Sequence, residues 1–260
     1  MKKALLIGIN YIGTNAELRG CINDVINIKK FLINDYGFTE DEIVMLTETS
    51  RKKYPSRENI IKYMKWLVQN NDENSRLFIH YSGHGSYARD RNGDERDGRD
   101  ETICPVDYGT KGMIVDDELK NILVNPLKKG AKLTCLFDCC HSGTVLDLRC
   151  NYKMAINNRR NSYAIDIDNH YKSTVGDVML FSGCQDTQTS ADAYEEGTNQ
   201  GAMTYSFLKM IEKLKNKNKT PTVQNVMKNL SFFIKARGYT QTPQLSTGKL
   251  IDLNQKFNIC

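Results

Sequence analysis

Five short apolar runs, at residues 4–9, 43–47, 76–81, 132–138 and 177–182, are separated by stretches with helical spacing, and this alternation limits the fold more than any other feature. Runs that stay apolar instead of alternating with polar residues are what strands buried on both faces look like, and intervening helices supply the crossovers that parallel strands need. Val25, Ile28, Phe31 and Leu32 form one helical stripe, and Ile60, Ile61, Met64, Leu67 and Val68 form another behind the cap residue Ser56. Two later helices are expected over 201–215 and 221–233, the second opened by Thr220 with Pro221 in its first turn. The fold class is therefore α/β, a mainly parallel central sheet flanked by helices. No Pro- or Ser-rich linker divides the 260 residues, so 1–260 is read as one domain.

In such folds, chemistry gathers beyond the carboxyl ends of the strands. The loop at 10–21, His84, Cys140 and Gly183 all fall on that rim. One run ends in Asp138-Cys139-Cys140-His141-Ser142-Gly143 and another in His80-Tyr81-Ser82-Gly83-His84-Gly85. A thiolate nucleophile needs a base within hydrogen-bond reach. Cys140 is the expected nucleophile, because Cys139 alternates to the opposite side of a continuing strand. His84 is the expected base: Gly83 and Gly85 let the chain turn there, whereas His80 lies inside an apolar run and His141 is adjacent to Cys140, where neighbouring side chains diverge. The N–H groups of Gly85 and Cys140 are candidates for an oxyanion hole.

The formal charge of +5 is not gathered into a basic run with interleaved aromatics, so no nucleic-acid partner is expected. The first residues look superficially like a short signal, but the apolar run breaks at Asn10 without a small-residue cleavage site. Nothing approaches the ~20 apolar residues of a membrane helix, so a soluble, cytoplasmic protein is expected. Eight cysteines, with no CxxC pair, suit neither a disulfide scaffold nor structural zinc. A zinc scaffold on Cys139, Cys140 and His141 is disfavoured, because three consecutive residues do not readily converge on one tetrahedral ion.

The two motifs quoted above, with Gly20-Cys21-Ile22-Asn23-Asp24, Ser182-Gly183-Cys184-Gln185-Asp186, Gln188-Thr189-Ser190-Ala191-Asp192 and Gly201-Ala202-Met203-Thr204, resemble those of metacaspases from residue 4 to about residue 250. The resemblance implies a caspase-like fold, a His84/Cys140 dyad, and cleavage of polypeptides after Arg or Lys. It maps a basic-residue pocket onto Cys21, Asp24, Ser82 and Asp138. Carboxylates lining a narrow cleft attract a guanidinium or ammonium group, and Asp138 returns to the face of Cys140 two residues later. Asp24 could instead cap the following helix, but Asn23 can take that duty.

The same resemblance implies activation by Ca2+, with Asp100, Asp116, Asp117 and Asp147 as ligands; calcium takes about six to eight hard oxygens. An EF-hand over 90–101 is rejected, because Glu95 stands where that loop needs glycine and no helix pair flanks it. Asp94 and Asp97 are read as members of a solvated acidic loop. The family picture divides the chain into a large-subunit-like part (1–148), a polar, basic exposed loop (149–173) and a small-subunit-like part (174–260). Self-cleavage is expected in the loop, at Lys153, Arg159, Arg160 or Lys172. The loop's shortness resembles the type I arrangement, without its Pro-rich or zinc-finger prodomain, since the first strand starts almost at residue 1. A monomer is expected. The rivals are a catalytically silent caspase-fold regulatory or binding module, and an aspartate-specific relative, which would need a basic pocket in place of Asp24 and Asp138.

Overall fold

The computed structural model describes residues 1–91, 93, 95, 98–140, 142–157, 160–184, 192–195, 198–215, 220–239 and 241–259. In chain order they form β1 (Lys2–Gly8), α1 (Cys21–Tyr36), β2 (Ile43–Thr47), α2 (Arg57–Val68) and β3 (Arg76–Ser82). Then follow β4 (Gly85–Arg89), β5 (Arg99–Ile103), α3 (Tyr108–Lys111), β6 (Ile114–Val115), α4 (Asp116–Leu123) and β7 (Lys132–Asp138). The remainder comprises β8 (Cys150–Asn157), β9 (Arg160–Ile167), β10 (Asp177–Cys184), β11 (Asp192–Glu195), β12 (Thr198–Gly201), α5 (Ala202–Lys215), α6 (Val223–Ala236) and β13 (Thr242–Thr247).

Eight strands make the main sheet in the order β2-β1-β3-β7-β10-β13-β8-β9. The first five are parallel, and β13, β8 and β9 continue the sheet antiparallel. Because β1 connects to β2 on one side while β3 lies on the other, the order reverses at β1/β3, the point where such sheets form a ligand crevice beyond the carboxyl ends of their strands. Residues of alternate parity feed two apolar layers. Leu5, Ile7, Leu77, Ile79, Cys135 and Phe137 pack with α2 and α4. Leu6, Phe78, Leu136 and Phe181 pack with α1, α5 and α6. The smaller β4-β5-β6 sheet and the β11-β12 hairpin stand apart from this sandwich.

Ser56 caps α2 as expected, its side chain accepting from Asn59 N at 3.3 Å. The cap of α6 is Thr222, not Thr220. Its side chain and that of Asn225 satisfy each other's backbone N–H, so Pro221 lies ahead of the helix. Neither Asn23 nor Asp24 caps α1; both are inside it, and the cap position is Gly20. The larger correction concerns 149–173. This stretch is a β-hairpin, β8 with β9, pairing Cys150↔Ile167 through Asn157↔Arg160, followed by a connection at 168–176. Tyr152, Met154 and Ile156, then Tyr163, Ile165 and Ile167, recur with period two, the pattern of an antiparallel strand with one wet face. The charged residues between them hide that pattern.

His80 is fully buried, and its Nδ1 donates to Leu136 O at 2.9 Å, while Nε2 makes no hydrogen bond among the described residues. Burial lowers its pKa to about 4. A histidine whose folded pKa lies below its unfolded value adds stability above about pH 6.5, and that stability is lost as pH falls toward 4. The protonation penalty is roughly 3 kcal/mol. Denaturant melts between pH 4 and 7 are expected to show stability rising with pH. His80→Asn, whose amide can still donate to Leu136 O, is expected to flatten that rise; an unchanged slope would exclude His80 as its source.

Candidate active site

Ser82 on β3 pairs with Asp138 on β7, so His84 and Cys140 each lie two residues beyond the same rung of adjacent parallel strands. Gly85 closes the distance between them. A Cβ there would collide with the carbonyl oxygen of Cys140 and come 3.4 Å from Cys139 Cβ. A Cβ on Gly83 would sit 2.8 Å from Tyr81 Oη and 3.1 Å from Tyr11 Oη. The glycines flanking His84 are thus required for close backbone approach; neither adopts positive φ. The same contact makes the backbones of Gly85 and Cys140, the two expected oxyanion donors, immediate neighbours.

Cys140 is half-buried, whereas Cys139 is 1% exposed within the core. Burial, then the neighbouring Cys140 and Asp138 charges, push the Cys139 thiol well above its ordinary pKa. Cys104 is likewise pushed up to about 11, chiefly by burial. Of these thiols Cys140 alone is open to a substrate. Ser142 Oγ fixes the turn after it by donating to Cys139 O at 2.9 Å and Gly183 O at 3.4 Å.

His84 Nε2 lies 2.7 Å from Ala16 O. A carbonyl only accepts, so Nε2 carries the proton, and a neutral ring keeps its lone pair on Nδ1. His84 N donates to Tyr11 Oη at 3.0 Å, and Tyr81 Oη donates to His84 O at 2.7 Å. The Tyr11 and His84 rings lie 4.6 Å apart at 38°.

Of the four expected pocket residues, all buried (Asp24 0%, Ser82 1%, Asp138 1% and Cys21 3% exposed), Asp24, Ser82 and Asp138 come together, and Cys21 lies three residues before Asp24 on α1. Asp24 accepts from Ser82 Oγ at 2.7 Å and from Gly201 N at 2.9 and 3.0 Å. Asp138 Oδ2 accepts from Thr204 N at 2.7 Å and Thr204 Oγ1 at 2.8 Å. Asp138 therefore satisfies an N–H of the first turn of α5, where a helix leaves these groups unpaired, and Asp24 holds the residue just before that helix. They also converge: a Cβ on Gly201 would meet Oδ2 of both. Sequence reasoning assigned Gly201 and Thr204 no role; the signal was a glycine immediately before a helical stripe that starts without Ser, Asp or Asn.

Asp100, Asp116 and Asp147 are buried where β5 meets the start of α4. Burial first, then the Asp147, Glu101 and Asp100 charges, push Asp116 up to about 9. Asp116 Oδ2 accepts from Glu101 N at 2.6 Å, and Oδ1 from Asp117 N at 2.8 Å. Glu95 and Glu101, which sequence reasoning did not include, offer carboxylate oxygens within 4.8 Å of each other and of Asp116. Asp94, Asp97 and His141 lie outside the described residues.

Of the expected self-cleavage residues, Lys153 sits mid-ladder on β8, paired with Gln244 on one side and Ala164 on the other. Arg160 opens β9, Arg159 lies outside the described residues, and Lys172 is exposed in the 168–176 connection. No helix among the described residues is long and apolar enough to cross a membrane.

A sequence profile described as "Metacaspase, peptidase C14 domain" matches residues 2–149. Metacaspase-1 of Saccharomyces cerevisiae (strain ATCC 204508 / S288c) is 41% identical over 98% of this chain and 68% of its own length. Metacaspase-1 of Cryptococcus neoformans var. neoformans serotype D (strain JEC21) is 40% identical over 100% of this chain and 65% of its own. The chain thus spans about two thirds of these relatives. A crystal structure of a Geobacter sulfurreducens protein has the same fold, with TM-score 0.66 and 24% identity, covering 98% of this chain and 97% of that one. A peptidase profile over more than half of the chain, and relatives this similar along nearly all of it, make the chain a member of the metacaspase family of cysteine peptidases.

Proposed function

We propose that this cysteine peptidase is a calcium-activated endopeptidase that cuts polypeptides after Arg or Lys, with Cys140 as nucleophile and His84 as proton carrier. One observation carries the specificity. Asp24 and Asp138, buried and arising from different elements, converge beside the rim that bears His84 and Cys140. A cleft floored by two carboxylates favours a cationic side chain and repels an aspartate.

In the proposed reaction the Cys140 thiol gives its proton to His84 Nδ1, and the thiolate attacks the scissile carbonyl carbon. The N–H groups of Gly85 and Cys140 receive the developing oxyanion. His84 then protonates the leaving amine as the C–N bond breaks, leaving a thioacyl enzyme. Water loses a proton to His84, attacks that thioester, and the thiolate departs. Ala16 O keeps Nε2 protonated throughout, so that Nδ1 does the transfers.

Asp100, Asp116, Asp117 and Asp147 would hold calcium, with Glu95 and Glu101 as additional oxygens, and the ion would supply the positive charge that lets such a buried acidic group ionise together. The fit is chemical: the donors are all hard oxygens, and burial first, then the neighbouring carboxylates, hold Asp116 protonated at neutral pH. Adding calcium is expected to raise Tm in the wild type and not in Asp116→Asn; equal shifts in both would remove this site from the reading. Self-processing at Lys172, whose segment is exposed, and action as a cytoplasmic monomer belong to the same proposal.

The test is hydrolysis of matched fluorogenic peptides ending in Arg, Lys and Asp, with calcium and with a chelator. Calcium-dependent cleavage of the Arg and Lys peptides alone is the expected result. Cleavage after Asp would overturn the specificity, and absence of turnover under every condition would favour the silent binding module.

A further inference from the structure

The pose of His84 is fixed from outside the dyad, and the contacts lead to a residue with no part in the chemistry. The loop between β1 and α1 carries two groups that touch the His84 ring, the Tyr11 ring and the Ala16 carbonyl, and the Tyr11 hydroxyl also accepts from His84 N. Tyr11 has φ 51, in the left-handed region that a bulky residue rarely adopts. That backbone turns the ring inward, where it is 1% exposed and its hydroxyl donates to Cys104 O at 2.6 Å. Such a conformation persists only where its surroundings enforce it.

Glu48, in the residues just past β2, supplies that enforcement. Its Oε2 accepts from Asn10 N at 2.5 Å and Tyr11 N at 3.0 Å, and its Oε1 accepts from Ile12 N at 2.8 Å. Three successive backbone N–H groups converge on one carboxylate, a concave arrangement suited to an anion. Farther along, Thr14 N donates to Tyr11 O at 3.1 Å and Leu18 N to Asn10 O at 2.7 Å, so the turn set by Glu48 is transmitted to Ala16.

We propose that Glu48 is a positioning residue for catalysis: by gathering the N–H groups of residues 10–12 it holds Tyr11 against the His84 ring and Ala16 O on His84 Nε2. The proposal rests on the reading of His84 as the proton carrier. Its contribution is orientation, where a displacement of about 1 Å can cost on the order of a hundredfold in rate.

The experiment measures the pH profile of Cys140 alkylation by iodoacetamide, resolved by mass spectrometry, beside kcat, KM and Tm, in full-length wild type, Glu48→Ala, Glu48→Gln, Tyr11→Phe and His84→Ala. A thiol paired with a well-placed imidazole reacts at lower pH than an unassisted one, whose pKa is about 8.5. Glu48→Ala is expected to move the profile toward that of His84→Ala and to lower kcat about 10- to 100-fold, with KM for an Arg peptide nearly unchanged. Glu48→Gln, which keeps one accepting oxygen, is expected to fall between them, and it serves as the test if the alanine variant fails to fold. Tyr11→Phe is expected to shift the profile in the same direction by less, because the ring remains. A Glu48 variant with lowered Tm but wild-type profile and kcat would show a purely structural role and overturn the proposal. A wild-type profile in His84→Ala would overturn instead the reading of His84 beneath it.

Discussion

Cys140→Ala is expected to abolish peptide hydrolysis, a loss of at least about a thousandfold in kcat/KM, with little change in Tm. The side chain is half-exposed at the end of β7 and fills no core space, so its removal takes the nucleophile and almost nothing else. His84→Ala is expected to cost a similar factor, and the double variant little more, because the two act as a unit. Cys139→Ala provides the contrast. It deletes a sulfur 1% exposed in the core, so it is expected to cost about 1 kcal/mol of stability while activity persists. Turnover assays paired with thermal melts on the four variants separate the roles; hydrolysis surviving in Cys140→Ala would reassign the nucleophile.

The second large effect is expected at the paired carboxylates. Asp138→Asn keeps an oxygen to accept from Thr204 N and Oγ1, so α5 retains its anchor while the charge beneath the cleft is halved. For Arg and Lys peptides kcat/KM is expected to fall roughly a hundredfold or more, and the preference for Arg over an uncharged residue should collapse. Asp138→Ala is expected to add a loss of ~1–2 kcal/mol of stability, since it removes the cap from the first turn of α5. Asp24→Asn should behave like Asp138→Asn, because its contacts with Ser82 Oγ and Gly201 N also need only an acceptor. Gly201→Ala drives a methyl against both carboxylates and is expected to damage the pocket without touching a charge. Peptide panels differing only in the residue before the cut bond measure all four; an unchanged Arg preference in Asp138→Asn and Asp24→Asn would place the specificity elsewhere.

The parallel strands were legible because a strand buried on both faces must be apolar throughout, which leaves runs such as Ala4-Leu5-Leu6-Ile7 and Leu133-Thr134-Cys135-Leu136-Phe137. His84 and Cys140 were legible for a related reason: each follows such a run, among small residues, with equal offsets from the register pair Ser82↔Asp138. The β8-β9 hairpin was missed because a strand at a sheet margin alternates apolar with polar residues, and charged residues such as the exposed Lys153 read as loop. Ala16 could not be found, since a backbone carbonyl carries no residue signature. Glu48 and Tyr11 were equally hidden. Their roles depend on a left-handed backbone at a tyrosine, and residue type argues against that conformation. Glu95 and Glu101 join the acidic group through the fold of β5 against α4, not through spacing in the chain.

The sheet order has one more effect. Strands β7, β8 and β9 precede the 168–176 connection, and β10 and β13 follow it, yet the order across the sheet is β7-β10-β13-β8-β9. The two halves are dovetailed: β10 and β13 are wedged between strands of the earlier half and bonded to them on both flanks. A chain nicked at Lys172 would therefore stay together as a joint with two mating surfaces, eluting as one particle on a sizing column and separating into two pieces only in denaturant.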